Sequence, residues 1–183
     1  MKRSVYLSLI KELTLEIKDE KYNLILLNQR GFIHLQNKNY QEAIEDFNTV
    51  IYRNAQMNTG EWIPSGKDIS FLQKTILYKT YLYRSLAFAL TDDLDKSGYD
   101  YSYLLRSNCE MEYPYFIFFT WAVLKQDTYQ AIRRYSNFRS YAKELMDFEE
   151  DIFNLLPIEN IEGLNESIKL IDFSLGIVRK NRN

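Results

Sequence analysis

An all-α fold is predicted by three features of this chain. It has only six glycines and three prolines in 183 residues, too few of the breakers that separate short strands. Its apolar residues recur at helical spacing, as at Val5, Leu9, Leu13 and Ile17, four apart on one face. It also repeats itself. Gly31 aligns with Ser85 at an offset of 54, and Arg30, Ala43, Asp46 and Phe47 then align with Arg84, Ser97, Asp100 and Tyr101. A further offset of 34 carries Ser85, Ser97 and Tyr101 onto Phe119, Ala131 and Tyr135.

The elements follow in order. Ser4 to Lys18 reads as a first helix. Tyr22 to Gln36, the turn Asn37-Lys38-Asn39 and Tyr40 to Asn54 read as a helical hairpin. Met57 to Lys67 carries Asn58-Thr59-Gly60, Pro64 and Ser65-Gly66, all turn chemistry, with Trp62 and Ile63 to pack the loop down. Asp68 is placed to cap a long helix ending at Leu90. Asp92-Asp93 starts the next, to about Asn108. Glu112 to Lys125 tolerates Pro114 in its first turn, where the missing N–H would have no helical partner. Asp127 caps a helix expected to reach Leu155, Pro157 ends it, and Gly163 to Arg179 forms an amphipathic last helix.

In the stretch from Leu24 to Ala55, Gly31 and Ala43 are small residues on successive helices and Tyr40 and Phe47 are aromatic. This pattern resembles a tetratricopeptide repeat, a 34-residue helix–turn–helix unit. The first repeat carries most of the family pattern, with Leu27 and Ala55 where the family has an aromatic and a proline. The second has Ser85 and Ser97 at the small positions. The third has Phe119 at the glycine position, so its helices are expected to sit further apart or cross differently. The resemblance implies a right-handed α–α superhelix of about three hairpins in one domain spanning 1–183. Repeats are expected at 24–55, 68–109 and 112–156, a loop at 56–67, and capping helices at 1–20 and 158–183.

One further expectation comes from charge. Arg30 and Asp46 are sixteen residues apart, as are Arg84 and Asp100, so each arginine is expected to pair with its aspartate across its hairpin. In the third hairpin both positions change together, to Phe118 and Arg134.

Several function classes find no support. A net charge of −2 offers no basic excess for nucleic acid, and Arg133, Arg134, Arg139 and Lys143 read as a solvated helix face. The apolar run Tyr113 to Leu124 is too short to cross a bilayer. Val5 to Ile10 is cut off by Lys11 and Glu12 with no small-residue cleavage site after it, so a cytoplasmic location is the expectation. Cys109 is the only cysteine, which leaves no intramolecular disulfide and reads as a small buried residue. His34 is the only histidine and sits where the repeat family packs an aromatic, so a core role is expected. The glycines are isolated, with no phosphate-cradling loop. No cofactor, metal or catalytic residue is expected.

The resemblance implies a concave groove lined by the first helices: Asn28, Phe32 and Gln36, then Leu82, Tyr83, Leu86 and Leu90, then Phe116, Ile117, Thr120 and Leu124. This set is mostly apolar, and the family's lysine–asparagine–arginine clamp for carboxylates is missing. The expected function is non-catalytic binding of a protein or peptide, as an adaptor or regulator, through this groove. Alternatives are an inhibitory or immunity-type protein neutralising one partner, a self-associating structural subunit (a homodimer), or an enzyme or small-ligand binder with a pocket between repeats near Trp62, Tyr83 and Trp121. The stripe Leu164, Ile168, Ile171, Leu175 and Val178 is expected to cap the array or fill the groove.

Overall fold

A computed structural model describes residues 3–20, 23–58, 67–107, 109, 112–142 and 149–177. The fold is all-α. The helices are α1 (Arg3–Asp19), α2 (Leu24–Gln36), α3 (Tyr40–Asn58), α4 (Lys67–Leu90), α5 (Leu94–Arg106), α6 (Glu112–Leu124), α7 (Thr128–Tyr141), α8 (Glu149–Phe153) and α9 (Leu164–Ser174), with a 3₁₀ turn at Ile158–Asn160. The chain packs as two compact units, Met1–Tyr103 and Leu104–Asn183, and α5 runs across the boundary.

Three helix–turn–helix hairpins (α2–α3, α4–α5 and α6–α7) are closed by the same hydrogen bonds. Lys38, Asp92 and Gln126 all adopt left-handed φ angles, of 63°, 64° and 55°. The next N–H reaches back to the carbonyl five residues earlier in every case: Asn39 to His34 (3.0 Å), Asp93 to Phe88 (2.8 Å) and Asp127 to Ala122 (3.0 Å). The left-handed residue itself donates to Leu35, Ala89 or Val123. Together these bonds satisfy carbonyls that a helix end would leave orphaned. Asp93 and Asp127 then cap the following helix, accepting from Lys96 N and Gln130 N. The turn residues are spaced by 54 and 34, the offsets already seen in the sequence.

The small positions explain how each hairpin closes. A Cβ added to Gly31 would stand 2.6 Å from Cε1 of Phe47, which is fully buried. In α4–α5 the equivalent Ser85 and Ser97 are both fully buried, with their hydroxyls 2.8 Å apart. In α6–α7 the large Phe119 is accommodated by other rings. Its centroid is 5.2 Å from Tyr135 and 5.4 Å from Phe153 of α8, within a cluster that includes Phe116 and Phe138.

In the first unit, α1 packs on α2, and α4 packs on both α2 and α3. Ile17, Leu24, Leu27, Val50 and Met57 form a shared apolar cluster. The expected stripe of α1 is only partly realised. Ile17 is buried and Leu9 and Leu13 are half-buried, but Val5 is 48% exposed.

Two elements of the second unit, α7 and α9, and one residue, Arg139, depart from expectation. The helix that starts after Asp127 ends at Tyr141 rather than Leu155, with Ala142 as its C-cap. α9 spans Leu164–Ser174, because Leu175 and left-handed Gly176 close it, and the expected Val178 lies outside the described residues. Its inward face is Leu164, Ile168 and Asp172, while Leu175 points out at 46% exposure. Asp172 faces inward because Arg139 of α7 is there to meet it. Arg139 is fully buried, which overturns its reading as a solvated charge. Its Nε donates to Asp172 Oδ1 (3.0 Å) and to the Tyr135 hydroxyl (2.7 Å), and its guanidinium lies against the rings of Tyr135 and Phe138. The Tyr135 hydroxyl also donates to Asp172. Residues 59–66, which hold most of the expected 56–67 loop with Trp62 and Ile63, lie outside the described residues.

Candidate functional site

The two expected ion pairs are formed. Arg30 Nε donates to Asp46 Oδ2 at 2.9 Å while NH2 holds Oδ1, and Arg84 does the same with Asp100 (2.9 and 2.6 Å). Each is a two-point fork, the strong geometry for a guanidinium and a carboxylate. The third donor of each arginine reaches an earlier helix: Arg30 NH1 to Thr14 of α1 (3.1 Å) and Arg84 NH1 to Asn48 of α3 (2.6 Å). Thr14 and Asn48 are 34 residues apart, so the two arginines tie their hairpins to the preceding helix at the same spacing. Asp100 is 2% exposed, and burial pushes its carboxyl above the ordinary carboxylate value despite the opposing pull of Arg84.

The residues expected to line an apolar groove lie differently. Leu82, Leu86, Phe116, Ile117 and Thr120 are fully buried, and Tyr83 nearly so. They fill the cores of their own units and present no surface to a partner. Thr120 is satisfied internally, its hydroxyl donating to the Phe116 carbonyl. Asn28 and Phe32 are half-buried and spend themselves on α4: Asn28 Nδ2 donates to Thr80 Oγ1 (2.6 Å), and Phe32 stacks on Tyr83 at 4.6 Å. Gln36 and Leu90 are half-buried at the ends of their helices. The physical reason is the same throughout. Apolar side chains on first helices are readily buried against the other helices of their own unit, so they are consumed by its core.

The first unit carries a cleft of about 420 Å³ bounded by second helices. α3 contributes Gln41, Ile44 and Asn48, α5 contributes Lys96, Tyr99 and Asp100, and α4 provides Arg84 and Phe88. Ile44 and Phe88 are nearly buried, whereas Tyr99 is 76% exposed. Lys96 Nζ pairs with Asp93 and lies 5.5 Å from the Phe88 ring. Arg84 is committed to Asp100 and Asn48 and lies near the Tyr81 and Phe88 rings, so it braces the cleft wall rather than offering a free charge. The cleft therefore combines amide donors and acceptors, one ammonium and aromatic surface. Sequence reasoning overlooked it because attention went to first helices; the available signal was Tyr99, an aromatic on the polar side of its helix.

His34 is nearly buried, as expected of a core histidine. Burial holds its pKa below the ordinary 6.5, against the pull of Asp46. Cys109 is buried and its thiol contacts the Leu104 carbonyl. Among the described residues, no group of three or more His, Cys, Asp or Glu side chains could hold a metal, and no helix is long and apolar enough to cross a membrane.

Compared with protein-family models, curated proteins and solved structures, the chain matches none of them.

Proposed function

We propose that this protein is a non-catalytic binding module, an adaptor or regulator built from tetratricopeptide-like hairpins, that holds an extended partner segment in the α3–α4–α5 cleft. The observation that carries this reading is the cleft's composition. Side-chain amides of Gln41 and Asn48 suit the polar backbone of a peptide, and exposed Tyr99 over the Ile44–Phe88 floor suits an apolar side chain. Tyrosine at a cleft rim is a typical anchor, since it gives large contact area at little entropic cost.

The test is affinity capture with the wild type, with Tyr99→Ser/Lys96→Glu, and with Tyr129→Ser as an exposed control in the second unit. All three substitutions fall on exposed residues, so folding is retained. One stoichiometric partner, lost with the cleft variant and kept with the control, is the expected result. Equal capture by all three proteins places recognition elsewhere.

A second reading is favoured by one observation. α9 exposes Leu170 at 68% and Phe173 at 84%, a pair three residues apart on one face. Such a face suits self-association, and a concentration-dependent dimer that Phe173→Ser abolishes would support it.

A further inference from the structure

The arginines of the first two hairpins each send a third donor to the preceding helix, and the two acceptors differ in what they have left. Thr14 accepts from Arg30 NH1 and donates its own hydroxyl proton to the Ile10 carbonyl, at 2.6 Å, so its bonding is closed within the chain. Asn48, 34 residues later, accepts from Arg84 NH1 at 2.6 Å. A side-chain amide also has two N–H donors. Among the described residues, Asn48 Nδ2 meets no acceptor.

Chemistry fixes which way this amide faces. A guanidinium only donates, so Asn48 turns its oxygen to Arg84 and keeps its nitrogen for another partner. Arg84 is itself held by its fork on the buried carboxylate of Asp100. The chain of bonds Asp100–Arg84–Asn48 thus starts in the core and ends at an exposed amide that lines the cleft. Two turns earlier on α3, Gln41 lines the same cleft with the complementary group. Its Nε2 donates to Glu45 at 3.4 Å, which leaves its Oε1 to accept. Seven residues of helix separate the two amides by about 10 Å, the length of about three extended residues. Ile44, on the cleft floor, lies between them in α3.

We propose that Asn48 binds the partner's main chain: Nδ2 donates to a backbone carbonyl of an extended segment, in the orientation that Arg84 imposes, and Gln41 accepts a backbone N–H two turns away. This rests on the reading of the cleft as a peptide site and deepens it by setting the class of partner. Carbonyls inside a helix already accept from the helix's own N–H groups, whereas those of an extended segment are unpaired. An apolar side chain carried between the two contacts meets Ile44 and Phe88.

Asn48→Asp separates this role from bracing Arg84. Aspartate keeps an oxygen for the guanidinium, now with a charge to strengthen the bond, but has no N–H to give at neutral pH. The probe is a degenerate library of capped hexapeptides with phenylalanine fixed at the third position, passed over the immobilised 183-residue chain. Asn48→Asp should retain about tenfold less peptide than the wild type, from one lost hydrogen bond and a carboxylate set against a carbonyl, with an unchanged urea midpoint. Undiminished retention by Asn48→Asp overturns the proposal. If Tyr99→Ser/Lys96→Glu loses retention in the same experiment, the cleft reading stands without it. A fall in midpoint alongside the lost retention marks Asn48 as structural and also overturns the proposal. No retention by the wild type, or equal retention by both variants and the wild type, overturns the cleft reading as well.

Discussion

The guanidinium of Arg134 lies 4.7 Å over the ring of Phe118, at the two positions where the other hairpins hold Arg30 against Asp46 and Arg84 against Asp100. All three pairs are sixteen residues apart and join the first helix of a hairpin to its second. A cation over an aromatic face replaces a fork on a carboxylate, and the cation has moved to the other helix. One contact position is conserved in geometry while its chemistry changes. That is how register is kept in a hairpin whose glycine has become Phe119.

Removing Arg84 should cost more than neutralising Asp100. Arg84→Met leaves a buried carboxylate with neither its hydrogen bonds nor its countercharge, a loss of about 3–5 kcal/mol. Asp100→Asn keeps a neutral acceptor for the guanidinium and should cost about 1–2 kcal/mol. The sign with pH follows from the upward shift at Asp100. In Arg84→Met its pKa climbs further, because both of the influences that lower it come from Arg84. The folded form then takes up a proton as pH falls through that raised value, and the penalty disappears. Urea unfolding should show Arg84→Met and Arg84→Met/Asp100→Asn far apart at neutral pH and converging on acidification.

Two glycines should respond to alanine with opposite signs. Gly31→Ala drives a methyl to 2.6 Å from a buried ring and should cost about 1–3 kcal/mol. Gly98, inside α5, has nothing within 4 Å of an added Cβ, so Gly98→Ala should gain about 0.5–1 kcal/mol from helix propensity. Thermal melts decide this, with shifts of about 2–4 °C per kcal/mol for a chain of this size.

The hairpin turns are stabilised by hydrogen bonds but strained at one residue each. Lys38 and Gln126 hold left-handed backbone at about 1–2 kcal/mol, which glycine avoids. Part of that gain is lost to the greater freedom of glycine in the unfolded chain, so Lys38→Gly and Gln126→Gly should each stabilise by about 0.5–1 kcal/mol. Asp92→Gly should gain less, because aspartate tolerates this conformation better. Denaturant midpoints measure all three.

Much of the fold was legible because its signals are local. The caps at Asp93 and Asp127, the turn at Asn37–Asn39 and the sixteen-residue charge spacing need only neighbours on the same hairpin. Arg139 was not legible: nothing near it in sequence announces that Asp172, on another helix, will meet it in the core. The same gap explains the groove. Helical periodicity shows that Leu82, Leu86 and Phe116 share an apolar face, but whether that face meets a partner or the chain's own helices depends on tertiary packing. The cleft escaped notice because it is made by α3 and α5, whose lining residues look like ordinary solvated positions one helix at a time.

The central structural claim, that the three hairpins share one contact position, is tested most directly by transplanting a pair. Phe118→Arg alone sets two arginines together, and Arg134→Asp alone sets a carboxylate against a ring. Together they recreate the Arg30–Asp46 arrangement in the third hairpin. The account predicts that the double variant is more stable than the sum of the two single changes by about 1 kcal/mol or more, read from urea unfolding as a double-mutant cycle. Strictly additive losses would contradict it, because two residues that never meet cannot rescue one another.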